Sequence, residues 1–444
     1  MNRSDKRGNP VSYGVQEAVD SLDRVCDMLH AYQADPLAEV DKIIADHPGF
    51  AMAHAFRAGA LATATDKAFE PEMLKSVQAA EALASKSNDR EKGHIAAVCA
   101  WRDGEWGRAV EYWGRAAIAW PRDLLALQFA HVGDFFLGYS HMLRDRIARA
   151  LPHWNRSIPG YGFVEGMYAF GLEEAGDYAQ AEARGREAVA LNRQDGWAVH
   201  AVTHVLEMQG RAREGAEYLA AGVDGWAPNS MFAYHLWWHK ALFHVDSGDV
   251  ASALKLFDEN ISAGGFGQAM ELLDGSSLLW RIWLLGHDVG DRWDDISRKW
   301  ESRVDDAYYA FNDANAMLAF VGAGNGAAQK RQIESVRRAA AGNGTNAMMS
   351  REVGLPACEG FSAFGRGDYS GAIEWLLPLR AKANRFGGSH AQRDMFSWTL
   401  TEAAIRMGSR LLADTFVAER LSWKPESPVN RAWAARAAGL KPAQ

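Results

Sequence analysis

Glycine recurs along this chain at positions 104, 138, 176, 210 and 248, at intervals of 34, 38, 34 and 38. A period near 34 residues constrains the fold more than any other feature here. It marks a helix–turn–helix unit that can bury its apolar face only by stacking on further copies of itself. GEWGRAVEYWGRAAIAWPRD (104–123) is the clearest copy: Gly104 ends one helix, Ala109 and Ala116 are small where paired helices touch, and Pro121 stops the second helix. GDYAQAEARGREAVALNRQDG repeats the pattern with Gly176, Ala181 and Ala188. GDVASALKLFDENI supplies Gly248 and Ala253, GDYSGAIEWLLPL supplies Gly367 and Ala372, and GRAREGAEYLAAG is a weaker copy from Gly210. The expected fold is an all-α superhelical solenoid of tetratricopeptide-like hairpins.

The remaining segments fit that frame. Residues 34–64 carry apolar side chains at helical spacing with a break at Pro48-Gly49, and 71–85 form another amphipathic helix. The expected organisation is a disordered N-terminus (1–12), tetratricopeptide-like repeats (13–321), a glycine-bounded connector or lid (322–354) and C-terminal helical repeats (355–444). With 48% apolar residues and 17 Trp there is material for a large core. The net charge of −8 argues against nucleic acid or an anionic membrane as the main partner. No run of eighteen apolar residues suggests a membrane span, and MNRSDKRGNPVSYG lacks the apolar core of a signal peptide. Cys26, Cys99 and Cys358 are far apart and form neither a zinc spacing nor a disulfide framework, so a reducing cytoplasm is expected.

DLLALQFAHVGDFFLGY (123–139), VEGMYAFGLEEAGDYAQAE (164–182), WAVHAVTHVLEMQGR (197–211), HLWWHKALF (235–243), LDGSSLLWR (273–281) and GGSHAQRD (387–394) resemble the tetratricopeptide repeat protein 38 family. The motifs are spread over most of the chain. The resemblance implies an all-α repeat fold and brings no settled activity with it.

Of the fourteen histidines, four form two pairs at i,i+4 spacing: His200 and His204, then His235 and His239. Counting back from Gly210, the inner stripe of a first helix takes in Trp197, His200, His204 and Glu207. The same count from Gly176 gives Gly166, Phe170 and Glu173, and from Gly104 it gives His94, Val98 and Trp101. Against Gly248, His235 fits the stripe better than His239. An i,i+4 histidine pair with a carboxylate three residues on is a chelating arrangement, so the four histidines are candidate ligands of a divalent ion (Zn, Mn or Fe). The plainer reading is that neutral histidines and Glu207 hydrogen-bond one another and line a polar pocket without metal. Glu207 is either a fourth ligand or the general base that activates a bound water. In GGSHAQRD, Ser389 reads as a helix cap, while His390, Arg393 and Asp394 are candidates to close a pocket, His390 as an acid/base group. Asp274 reads as another cap. Trp197 and Trp238 are candidate ligand-lining aromatics, and His131 reads as a satisfied core histidine.

Three functions fit these residues: a small-molecule binder with a His-rich pocket, a metal-assisted hydrolase-type enzyme, and a protein- or peptide-binding scaffold without catalysis. The expected partner is a small molecule in the inner pocket. Self-association into a homo-oligomer stays open, since exposed apolar ends of a solenoid often pair.

Overall fold

The computed structural model describes residues 3–441. They are helical nearly throughout, in antiparallel hairpins joined by short turns. Two compact units emerge: the residues up to Val205 together with Gly222–Ala233, and Leu206–Ala221 together with the residues from Tyr234 onward.

The first unit stacks the hairpins Ala51–Ala62 with Glu70–Leu83, Asp89–Arg102 with Trp106–Ala119, Leu124–Leu137 with Ser140–Ala150, and Tyr161–Glu174 with Tyr178–Leu191. The second contains Val250–Leu256 after Ala233–Asp246, then Ala269–Leu284 with Arg292–Glu301, Ala310–Gly322 with Gly326–Ala340, Leu355–Gly365 with Tyr369–Leu376, and Met395–Arg406 with Arg410–Trp423. The helix Gly196–Met208 runs through the boundary and gives its first residues to one unit and its last to the other.

Local chemistry explains these hairpins. Gly104, Gly176, Gly248 and Gly367 all have φ between 76° and 85°, the left-handed conformation that ends a helix without a Cβ clash. At two of these turns the aspartate after the glycine caps the next helix: Asp249 Oδ1 accepts from Ser252 N at 3.1 Å and Asp368 Oδ1 from Gly371 N at 2.9 Å. The small residues read from the repeat, Ala109, Ala181, Ala188, Ala253 and Ala372, are fully buried where helices meet. Backbones come close at Gly171, where a Cβ would lie 2.5 Å from the backbone of Leu143 and Arg144. Large aromatics fill the space between hairpins; Trp101 stacks on Trp106 with centroids 4.6 Å apart.

Three expectations are corrected. Residues 3–11, expected to be disordered, form a small antiparallel hairpin, Arg3–Ser4 with Pro10–Val11. It is held because Arg7, buried, donates to Pro159 O at 2.9 Å, and Asn9 Nδ2 donates to Arg122 O at 3.1 Å. Met1 and Asn2 lie outside the described residues. The connector or lid expected at 322–354 is a packed element: Gly326–Ala340 buries Val336 and sends Gln332 Nε2 to Asp313 Oδ1 at 2.9 Å. Gly324 and Gly344, with positive φ, make its turns, and the charges of its long helix occupy the outer face. Asp274 is no cap, because its helix begins at Ala269 with a Gln268–Glu271 capping box and carries Asp274 in its interior. No helix among the described residues is long and apolar enough to cross a membrane.

Candidate functional site

The helical stripe read from Gly210 is buried along its whole length: Trp197, His200, His204 and Glu207 are each 8% exposed or less. In the first unit, His200 and His204 lie one turn apart with ring centroids 4.3 Å from each other. Phe170 stacks on His200 and meets His204 edge-on. His204 Nδ1 is 3.5 Å from Glu173 Oε2. Glu173, Glu174 and His204 each offer a ligand atom within 4.8 Å of the others, so here the carboxylates of the preceding hairpin complete a metal-sized cluster with His204. Trp197 donates through Nε1 to His131 Nε2 at 3.1 Å and stacks against Tyr32.

The second unit holds the denser arrangement. His235 and His239 are both buried, with ring centroids 4.8 Å apart. His239 is as deeply buried as any residue here, although the repeat frame favoured His235. Each carries its own carboxylate: His235 Nδ1 donates to Asp274 Oδ2 at 2.7 Å and His239 Nδ1 to Glu207 Oε2 at 2.8 Å. These bonds put the proton on Nδ1 and leave a lone pair on Nε2 in both rings. Burial, reinforced by the nearby positive charges of Arg281 and Lys424, pushes the His239 pKa well down and keeps the ring neutral. Burial likewise raises the Asp274 carboxyl, partly offset by His235. Glu207, the candidate base, is thus the residue that orients His239. Trp238 lies flat on His235, donates to Ser277 Oγ at 3.0 Å and has the Arg281 guanidinium over its ring, 5.7 Å from the centroid. It fixes the histidine and does not line the cavity described next.

That cavity, about 400 Å³ with its mouth, is lined by Glu207, Leu242, Phe243, Arg281, Asp394, Trp398, Arg420 and Lys424, among others. Asp394 accepts from Arg420 at 2.8 and 3.1 Å and from Trp398 Nε1 at 2.9 Å. Burial alone would raise the Asp394 carboxyl, but the Arg420 guanidinium outweighs it and holds it at about 2. Arg281 is 2% exposed and donates to the backbone carbonyls of Ser277 (2.9 Å), Ala391 (2.7 Å) and Gln392 (3.4 Å). Burial lowers its pKa.

GGSHAQRD divides its roles. Ser389 is the expected cap, its Oγ accepting from Gln392 N at 3.2 Å. Arg393 donates to the carbonyls of Gly387 and Gly388 and faces His390, so these two side chains brace the loop, and Asp394 alone of the three candidates lines the cavity. The sequence reading missed Arg281, Arg420 and Lys424. Arg281 did leave a signal: a lone cation inside the apolar run SSLLWRIWL.

No family model matches this chain. Among solved structures it is similar to the human IFIT1 dimer with m7Gppp-AAAA, at 15% identity and a TM-score of 0.44, over 96% of this chain and 95% of that one. An IFIT1 monomeric mutant with the same cap chemistry is similar at 15% identity and a TM-score of 0.39, over 95% and 94%. Likeness at this depth carries no ligand across. It does correct one expectation: the IFIT1 chain is seen with m7Gppp-AAAA, a nucleic acid, so the exclusion of nucleic acid is withdrawn. The physical reason is that a charge summed over a whole chain does not measure the potential inside one cavity.

Proposed function

We propose that this chain binds a small molecule by an anionic group, carboxylate or phosphate, in the cavity of the second unit. Arg281 carries the reading. The carboxylates lining the cavity each accept a hydrogen bond, Glu207 from His239, Asp246 from Ser427 and Asp394 from Arg420, while the buried guanidinium of Arg281 meets backbone carbonyls. Its charge and that of Lys424 therefore act on the cavity, where a charge-assisted hydrogen bond contributes roughly 1.5–3 kcal/mol. Membership of the tetratricopeptide repeat protein 38 family belongs to this proposal. Four of its motif segments, around Glu207, His235, Asp274 and Asp394, supply the residues of this site. The cytoplasmic setting expected from the cysteines belongs to it as well.

A second reading adds metal-assisted, hydrolase-type chemistry. It is favoured by the carboxylates on Nδ1 of His235 and His239, the arrangement that aims Nε2 at a metal and raises its basicity. A divalent ion there would supply a Lewis acid and a bound water of lowered pKa. The scaffold alternative seats the terminal carboxylate of a peptide on the same arginine.

The test is a thermal titration with inorganic phosphate and with acetate on wild type, Arg281→Lys and Lys424→Met. Stabilisation of the wild type by one of these anions, weakened in Lys424→Met, supports the proposal. If neither anion moves the midpoint, or Lys424→Met responds like wild type, it fails. Metal analysis of wild type against His235→Ala decides the second reading.

A further inference from the structure

Two glutamates close the helix Tyr161–Glu174, and both lie inside the first unit: Glu173 is fully buried and Glu174 is 5% exposed. Their position works against them twice. Burial strips a carboxylate of water, and the C-terminal end of a helix carries the negative pole of its dipole, which disfavours an acid there by roughly 0.3–1 kcal/mol. The turn that follows needs neither side chain. Backbone alone makes it, with Gly176 N donating to Glu173 O at 2.8 Å and Asp177 N to Leu172 O at 2.8 Å.

The fully buried imidazole of His204 reaches them from the helix Gly196–Met208. Leu172, Ala181 and Val205 form an apolar cluster alongside, with Tyr168 and Tyr178 packed on it, and Phe170 meets the His204 ring edge-on. The negative charge is felt nearby: burial first, then Glu173 and Glu174, push the Tyr178 hydroxyl up to about 12.

Distances separate a chelating arrangement from a hydrogen-bonded one. His204 Nδ1 stands 3.5 Å from Glu173 Oε2, longer than the roughly 2.7–3.2 Å of an N–H···O bond. Two donors each about 2.0–2.2 Å from one ion, at a tetrahedral angle, stand about 3.4 Å apart. One donor atom from each of Glu173, Glu174 and His204 lies within 4.8 Å of the other two. An ion held this way needs no cavity larger than itself. Carboxylate oxygens with one imidazole suit a divalent first-row ion, whereas calcium and magnesium take oxygen ligands.

We propose that Glu173, Glu174 and His204 hold a divalent first-row transition ion, of the Zn²⁺ or Mn²⁺ class, that clamps the helix Tyr161–Glu174 to the helix Gly196–Met208 within the first unit. The ion offsets the charge of both carboxylates and sits at the negative pole of the first helix. The site uses neither His235 nor His239 and does not rest on the reading built on them.

The test titrates chelator-stripped protein with Zn²⁺, following bound metal and the thermal midpoint. Glu173→Gln and Glu174→Gln keep the shape of the side chain and remove its charge. Each should weaken one equivalent of Zn²⁺ by roughly tenfold or more relative to wild type. His235→Ala should retain that equivalent, and neither Mg²⁺ nor Ca²⁺ should displace it. X-ray absorption of Zn²⁺-loaded His235→Ala, which needs neither glutamine variant to fold, should show a single imidazole among oxygen ligands. The proposal is overturned if wild type binds no Zn²⁺ saturably, if either glutamine variant binds it as wild type does, or if X-ray absorption shows two or more imidazoles or none.

Discussion

Replacing Asp195 by Asn should alter how stability depends on pH, and the size of the effect follows from burial. Burial pushes the Asp195 carboxyl from 3.8 up to about 7, against the lowering by the backbone N–H groups of Ala198 and Trp197. Folding therefore favours the neutral form. The contribution is fully present below pH 3.8, declines as pH rises, and is gone above about 7. A shift of three units corresponds to ~4 kcal/mol, of which ~3 kcal/mol is traversed between about pH 5 and pH 8. Asn is neutral throughout and keeps the cap on Ala198, so the difference between the two proteins isolates this one group. Urea midpoints followed by tryptophan fluorescence at the two pH values should show wild type losing ~3 kcal/mol relative to the variant as pH rises. A difference that stays flat would mean that Asp195 titrates as if in water, and the argument from burial would be wrong.

Other outcomes can be checked by similar means. Gly171→Ala drives a methyl into the backbone of Leu143 and Arg144, which cannot swing aside, and should cost ~2–3 kcal/mol by denaturant unfolding. Gly104→Ala has nothing within 4 Å of its Cβ, so the left-handed φ of 76° alone should cost ~1–2 kcal/mol. Asp123→Ala strips a buried partner from Arg90 (2.6 Å), which keeps Asp5 at 3.4 Å, and from His94 (2.9 Å), and should destabilise by ~3 kcal/mol, a loss that mild acid does not reproduce because the Arg90 and His94 charges outweigh burial and hold that carboxyl far below its usual range. Burial raises the Cys26 and Cys358 thiols strongly, whereas Cys99 is half-buried. In native protein a thiol reagent should modify Cys99 first, and equal labelling of all three would contradict the packing.

How much of the site was legible depended on how local its cause was. The stripe Trp197, His200, His204 and Glu207 followed from one turn glycine and the helical repeat, and all four are buried as counted. His239 was placed less well, because an extra turn between Gly210 and Gly248 shifts the register that the count assumes. Asp274 was misread because an aspartate near glycine and serine resembles a helix start, and only the neighbouring helix reveals His235 as its partner. His131 reads from the sequence as a satisfied core histidine. Its bond to Trp197 fits that view, yet a cavity beside it was not visible in the sequence.

The sequence by itself determined the repeat: turn glycines at φ near 80° and alanines where helices touch. These are effects within a single hairpin, and a linear pattern records them. Tertiary structure alone decided which carboxylate each histidine meets, that Arg281 donates to backbone carbonyls, and that His30 and Asp195 share a cavity from 165 residues apart. Those pairings depend on how hairpins stack within a unit, and the burial that gives each polar atom its character comes from residues far along the chain.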